Sequence, residues 1–401
     1  MILGISIDEN FVYVSNNLDE TIVEIPFAIG RNLVNNNWFI GDEARIENVD
    51  NTDIVIDKLY YLLENDGNAK IGDANFDAKA LTRIFMNNLF LRYSDIEFVT
   101  IVVRNNNIKI LSKLLGALRD NFDDPNMYKV TTYSEAFISY IKSKDSSYYD
   151  NPIALFDFTE KALTYYELIR YRAEDRTEYW KVNKKEHLSL PLDLLSGETG
   201  KKVCDNLLCE FAKECIKEVA YNNIILSGVG FKDASSYREF MTFVCSVTEV
   251  DTDINFFAKS ATLLSKDILN DNFNTDVVLI SDARTEIALR VYARVSPNEE
   301  YVELVEPGSE WLNINNYAFN VIADDEKEIK FEYLKVIEGV IKDFTVPIPG
   351  SNMLRKDKTN EFEVSLTFTQ QNFLQVTITD RGFGEFYEPT FENLPPMEIQ
   401  L

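Results

Sequence analysis

Ile2-Leu3-Gly4-Ile5-Ser6-Ile7 followed by Phe11-Val12-Tyr13-Val14 reads as a buried strand that turns tightly into a second one, because apolar residues first run together and then alternate. The same pattern returns at Ile153-Ala154-Leu155-Phe156-Asp157-Phe158, with a turn at Thr159-Glu160-Lys161 and a partner strand Leu163-Thr164-Tyr165-Tyr166-Glu167-Leu168. Two such hairpins about 150 residues apart predict a duplicated domain.

Each hairpin leads into α/β material. After the first, Asp77 to Leu91 has helical spacing, and Phe98-Val99-Thr100-Ile101-Val102-Val103 reads as a buried strand. Ile108 to Phe122 then repeats its apolar residues at helical intervals. After the second, Val203, Leu207, Phe211, Cys215 and Val219 share one helical face. Ile224-Ile225-Leu226-Ser227-Gly228-Val229-Gly230 gives a strand ending in a glycine turn, and Phe257 to Leu269 reads as another helix. From about Asp276 the period drops to two, clearest in Phe362 to Phe368 and Leu374 to Ile378. Polar alternate positions predict one wet and one buried face, as in an antiparallel β-sandwich. The last dozen residues, with Pro395-Pro396, read as a tail.

The 401 residues are 45% hydrophobic and 26% charged, which excludes a disordered chain and allows two or three domains with cores. Acidic residues number 66 against 40 basic ones, and the resulting net charge of -26 repels phosphate backbones and anionic lipid alike. Nucleic acid and membrane are therefore not expected partners. The single histidine, His187 in Lys-Lys-Glu-His-Leu-Ser, reads as a solvated strand edge and leaves no histidine-rich zinc site. No basic leader and no run of roughly 18 apolar residues occurs, so a cytoplasmic location is expected. Cys204, Cys209 and Cys215 share one predicted helix, where Cys204 and Cys215 stand about 16 Å apart along the axis. They read as reduced core thiols.

Five patches, in order along the chain, resemble the DnaK family of heat-shock chaperones. Met1 to Ser15 and Phe156-Asp157 sit where that family has its two phosphate-binding hairpins. Phe39-Ile40-Gly41-Asp42-Glu43-Ala44-Arg45 resembles its Val-Gly-x-x-Ala-Lys segment. Ser196-Gly197-Glu198-Thr199-Gly200 with Asp205-Asn206-Leu207-Leu208 resembles its Gly-Gly-Glu-x-Phe-Asp-x-x-Leu helix, and Leu226-Ser227-Gly228-Val229-Gly230 its adenosine-site turn. The resemblance implies an α/β plus β protein. Its first part is a two-lobed, actin-like ATPase fold with a truncated second lobe over residues 1–275. A β-sandwich over 276–389 and a tail over 390–401 follow. Carried over by position, Ser6, Asp8, Lys58, Asp157, Gly228 and Gly230 would face a nucleotide. Leu289, Val291, Phe319, Ile329 and Phe331 would line a peptide groove.

The departures from the family are as informative as the matches. Phosphate cradles need glycine so that backbone N–H groups can approach the anion closely. Here Ser6 stands where the family has its first aspartate, Asp8-Glu9 replaces a Gly-Thr pair, and Thr159-Glu160-Lys161-Ala162 replaces a glycine-rich turn. The lobe-linking Glu-Pro-Thr-Ala-Ala segment appears as Tyr133-Ser134-Glu135-Ala136-Phe137, without its proline. No stretch remains between Val219 and Ile224 for the family's adenine-clamping subdomain, and none after Thr379 for a helical lid. The expected function is protein or extended-peptide binding or scaffolding by a DnaK-like chain with a degenerate ATPase half. No cofactor is expected, save Mg-ATP or ADP if the degenerate site still binds. Two alternatives stand beside it: a working Mg-ATP hydrolase using Asp8 and Asp157, and an actin- or FtsA-like scaffold. Gly197 to Lys202 lacks P-loop spacing, Asp251 to Asn255 lacks the EF-hand glycine, and Asp324-Asp325-Glu326 reads as a solvated turn.

Overall fold

A computed structural model describes residues 1–19, 21–46, 53–160, 162–174, 176–187, 190, 197–271, 277–295, 298–312, 317–323, 327–348, 350, 359–389 and 395–401. Lys161, Ser196, the acidic run 324–326, the expected domain boundary at 275/276 and the side chain of His187 lie outside the described residues. The chain forms two compact units, Met1–Arg170 with Trp180–Asp276, and Tyr171–Tyr179 with Val277–Leu401.

The first unit is built twice from one plan. In its first lobe, β1 (Ile2–Ile7) and β2 (Phe11–Asn16) form the expected antiparallel hairpin, and β3 (Val23–Pro26) extends it. On the other side of β1, β4 (Phe98–Val103) and then β5 (Tyr128–Thr132) add in parallel, giving the order β5-β4-β1-β2-β3. Every residue of β1 and β4 is buried, as expected of strands covered on both faces. α1 (Ala78–Phe90) and α2 (Ile108–Arg119) start where Asp77 and Asn107 accept N–H bonds from Ala80 and Lys109, and α3 (Tyr133–Lys142) follows β5 directly.

The second lobe repeats this with β6 (Ile153–Phe158), β7 (Leu163–Arg172), β8 (Glu178–His187), β9 (Asn223–Ser227) and β10 (Val250–Thr252) in the order β10-β9-β6-β7-β8. Again the hairpin is antiparallel and the next two strands are parallel to it. α4 (Gly197–Cys215), α5 (Arg238–Val247) and α6 (Phe256–Leu269) belong to this half of the chain. Cys204, Cys209 and Cys215 are buried in the second lobe's core, and burial pushes the Cys204 and Cys215 thiols up to about 11 and about 12. Only seven residues separate the end of α4 from β9, so no subdomain grows there.

α6 returns to the first lobe and joins the two. Its Ser265 hydroxyl bonds to the Leu3 carbonyl at 3.1 Å and to Thr100 Oγ1 at 2.7 Å. The approach is close enough that a Cβ on Gly4 would sit 2.2 Å from the Thr262 backbone nitrogen, which explains the glycine inside an otherwise apolar strand. α3 packs on α6 through Tyr133 stacked on Phe257 and Phe137 edge-on to Phe256, and Ser139 donates to Asp267.

The second unit holds two four-stranded antiparallel sheets. One has the order β12-β11-β14-β15, from β11 (Ile287–Val295), β12 (Asn298–Val305), β14 (Glu328–Lys335) and β15 (Val340–Pro347). The other has the order β13-β16-β17-β18, from β13 (Tyr317–Ala323), β16 (Asn360–Gln370), β17 (Phe373–Gly382) and β18 (Met397–Gln400). β16 alternates buried and half-buried residues along its length, the signature of one covered face. The expected tail is corrected here: Met397–Gln400 pairs antiparallel with residues 373–376, where Leu374 and Val376 offer a buried face.

Candidate functional site

The two hairpins of the first unit face one another, and what fills the space between them is protein. Arg104 follows β4 and is almost fully buried. Its Nη1 lies 2.8 Å from Glu9 Oε1 at the tip of the first hairpin, and its Nη2 lies 3.1 Å from Asp157 Oδ2 in the second. Ser227, at the end of β9, also bonds to Asp157. The Arg104 carbonyl accepts a 2.7 Å bond from Lys184 Nζ of the second lobe, and Asn10 of the first hairpin donates to Glu160 of the second.

Asp8 is turned inward on its own loop. Its Oδ1 accepts the backbone N–H groups of Asn10 at 2.8 Å and Phe11 at 2.7 Å, and Tyr13 bonds to the same carboxylate. Burial, and then the neighbouring Glu9 charge, push the Asp8 carboxyl up to about 6. Burial also raises Asp157, against the opposing pull of Arg104. Burial works against the Arg104 charge, but Glu9 and Asp157 hold it protonated, well above its usual range. Tyr133 closes the floor: its ring stacks on Phe257 with centroids 3.8 Å apart, and its hydroxyl donates to the Ile7 carbonyl.

The space left among Ser6, Asp8, Tyr13, Tyr133, Asp157 and Gly228 is about 20 Å³. That volume admits roughly one water, far below the roughly 300 to 1,000 Å³ of small-molecule sites. These residues do not fit Mg-ATP. Asp157, the acid to which the chaperone resemblance gives the waters of a metal, is paired with arginine, and Glu9 and Glu160 add negative charge at the two hairpin turns.

Residues 11–282 match a family of unknown function, DUF5716, in its C-terminal part, and residues 282–394 match a domain of unknown function, DUF8552. The chain belongs to the DUF5716 family. The curated proteins give no match. Among solved structures, this DUF5716 chain is similar to apo ParM of psk41, at 11% identity and a TM-score of 0.40, over 67% of this chain and 98% of that one. It is also similar to MreB5 of Spiroplasma citri bound to ADP, at 10% identity and a TM-score of 0.42, over 68% and 99% of the two chains.

Of the residues singled out in the DUF5716 chain's sequence, Ser6, Asp8, Asp157 and Gly228 do come together around the small cavity. Gly228 has φ +89, and a Cβ there would meet the Phe158 carbonyl oxygen at 2.4 Å; at Gly230 it would enter the Phe158 ring. Both glycines thus have packing reasons. Lys58 is exposed at the start of the short helix Leu59–Glu64 and is not among the cavity's lining residues. In the second unit Leu289, Val291, Ile329 and Phe331 are buried, and Phe319 is half-buried on β13. A peptide would reach the four buried side chains only if the sheet opened. A larger hollow there, about 550 Å³, is lined by Glu303, Glu306 and Glu310 around Arg284. Arg284 is already bonded to Glu310 and the Gly308 carbonyl, so the hollow repels phosphate. Sequence reading missed Arg104, and it placed Tyr133 in the lobe-linking segment without giving it a part in closing the cleft.

Proposed function

We propose that this chain is a non-catalytic scaffold of the actin-like type, whose former nucleotide cleft is closed by its own side chains and which acts by binding protein partners. The observation that carries this reading is Arg104 bridging Glu9 and Asp157 across the two hairpins. The duplicated hairpin-and-parallel-strand topology supports the actin-like assignment. Burial of Leu289, Val291, Ile329 and Phe331 favours scaffolding over DnaK-like peptide capture. The net charge of -26 supports protein rather than nucleic acid or anionic membrane as partner, and no helix among the described residues is long and apolar enough to cross a membrane. Calorimetric titration with Mg-ATP, beside a phosphate-release assay, tests the reading. No saturable heat and no turnover are expected; micromolar binding or hydrolysis would overturn it in favour of the Mg-ATP hydrolase.

A further inference from the structure

We infer that Arg104 is an interlobe latch: its guanidinium, held by Glu9 of one hairpin and Asp157 of the other, keeps the two lobes closed with no ligand present. The inference rests on the scaffold reading and adds to it what sets the lobes' relation.

The lobes are joined at two places of different character. At the base, α3 and α6 meet through aromatic packing, with Tyr133 on Phe257 and Phe137 on Phe256, and α6 is seated on β1 with Gly4 beneath it. Such a packed pair accommodates small sliding shifts of its helices, with Ser139 to Asp267 a polar contact beside the rings. At the mouth, the contacts between lobes are polar: Arg104 to Asp157, Lys184 to the Arg104 carbonyl, and Asn10 to Glu160. Arg104 is central to these. Its backbone leaves β4 of the first lobe, one prong of its fork returns to Glu9 of that lobe, and the other crosses to Asp157. A planar fork with fixed donors suits this double task, which a lysine ammonium cannot perform in the same geometry. Removing the arginine leaves two carboxylates, one of them fully buried, facing one another without a cation, and opening the cleft to water relieves them.

The exposed Cys245 of α5 offers a natural labelling position in the second lobe, since the other three thiols are buried. With Ser112→Cys on α2 as the first-lobe position, spin labels report the interlobe distance in the full chain. The latch predicts one narrow distance in the parent protein, unchanged by Mg-ATP. Arg104→Ala should add a second, longer population, and methylguanidinium at millimolar concentration should return it to the narrow one. Asp157→Asn keeps the shape of the site and removes one charge, so it decides the question should Arg104→Ala fail to fold: it too should broaden the distribution. Parent-like narrow distances in a folded Arg104→Ala protein, or in Asp157→Asn, would overturn the latch. A parent protein that binds Mg-ATP at micromolar concentration would instead overturn the scaffold reading, an outcome read by calorimetry and not by the label distance.

Discussion

Arg104 Nη2 lies 3.1 Å from Asp157 Oδ2, and this pair ties the residue after β4 of the first lobe to the second hairpin. Both side chains are nearly solvent-free, so the pair cannot be displaced without uncovering a charge in a poorly hydrated site. Mg-ATP binding to the parent chain should therefore be weaker than about 1 mM, or less than about 4 kcal/mol. Arg104→Ala should not create tight binding either, because Glu9 and Glu160 remain. Titration calorimetry on both proteins checks this, and a micromolar Kd in either would count against it.

Much of the first unit was legible because its signals are local. Apolar runs such as Phe98 to Val103 and the repeated hairpin at Ile153 to Leu168 declare strands from a few neighbouring residues. That the two hairpin turns carry side chains and not glycines was legible too, since it needs only the residue types at Asp8-Glu9 and Thr159-Glu160. The filling of the cleft was not. Arg104 reads as an ordinary cation after a strand, and its partner Asp157 lies 53 residues away in sequence. No local pattern marks a tertiary ion pair. Met397–Gln400 was misread for a similar reason: Pro395-Pro396 signals a break, while the strand exists only because Phe373–Val376 presents an edge to it.

Gly4→Ala should be strongly destabilising despite its small size. The added methyl carbon would lie 2.2 Å from the Thr262 nitrogen and 2.6 Å from the Ala258 carbonyl oxygen, both backbone atoms of α6 that cannot rotate away. Overpacking of this kind costs about 1 to 3 kcal/mol or more. The thermal transition of the first unit should fall by several degrees. A melting curve matching the parent would mean that α6 is not seated on β1 as described.

The pH dependence of stability should carry the mark of Asp8. Its carboxyl is raised from 3.8 to about 6 in the fold, chiefly by burial, so between these values the native state binds the proton that the unfolded chain has released. Stability from this group is therefore full below about pH 4, declines as pH rises toward 6 and stays low above it. The rise corresponds to about 3 kcal/mol. Asp8→Asn keeps an acceptor for the Asn10 and Phe11 N–H groups and removes the charge. The variant should be more stable than the parent at pH 7 and nearly equal to it at pH 4, by denaturant titration at both. A variant less stable at pH 7 would place Asp8's worth in its charge instead.

Phe331→Glu separates packing from peptide capture in the second unit. The Phe331 side chain is fully buried on β14, and its ring stacks on Phe344 of β15 at 5.0 Å, nearly parallel. A carboxylate there would stand against the Phe344 ring and must ionise in a buried, apolar setting or draw the sheet apart. Losses above about 4 kcal/mol are typical of such buried charges, enough to unfold a module of ordinary stability. Trp311 offers a reporter inside the same unit, since it is fully buried and its indole N–H donates to the Asp282 carbonyl at 2.8 Å. In Phe331→Glu its emission should shift to the red at temperatures where the parent is folded. The first unit's own transition should persist. A variant that keeps the parent's Trp311 emission, yet loses binding of an apolar extended peptide that the parent holds, would instead make Phe331 part of an accessible groove and restore the peptide-binding reading.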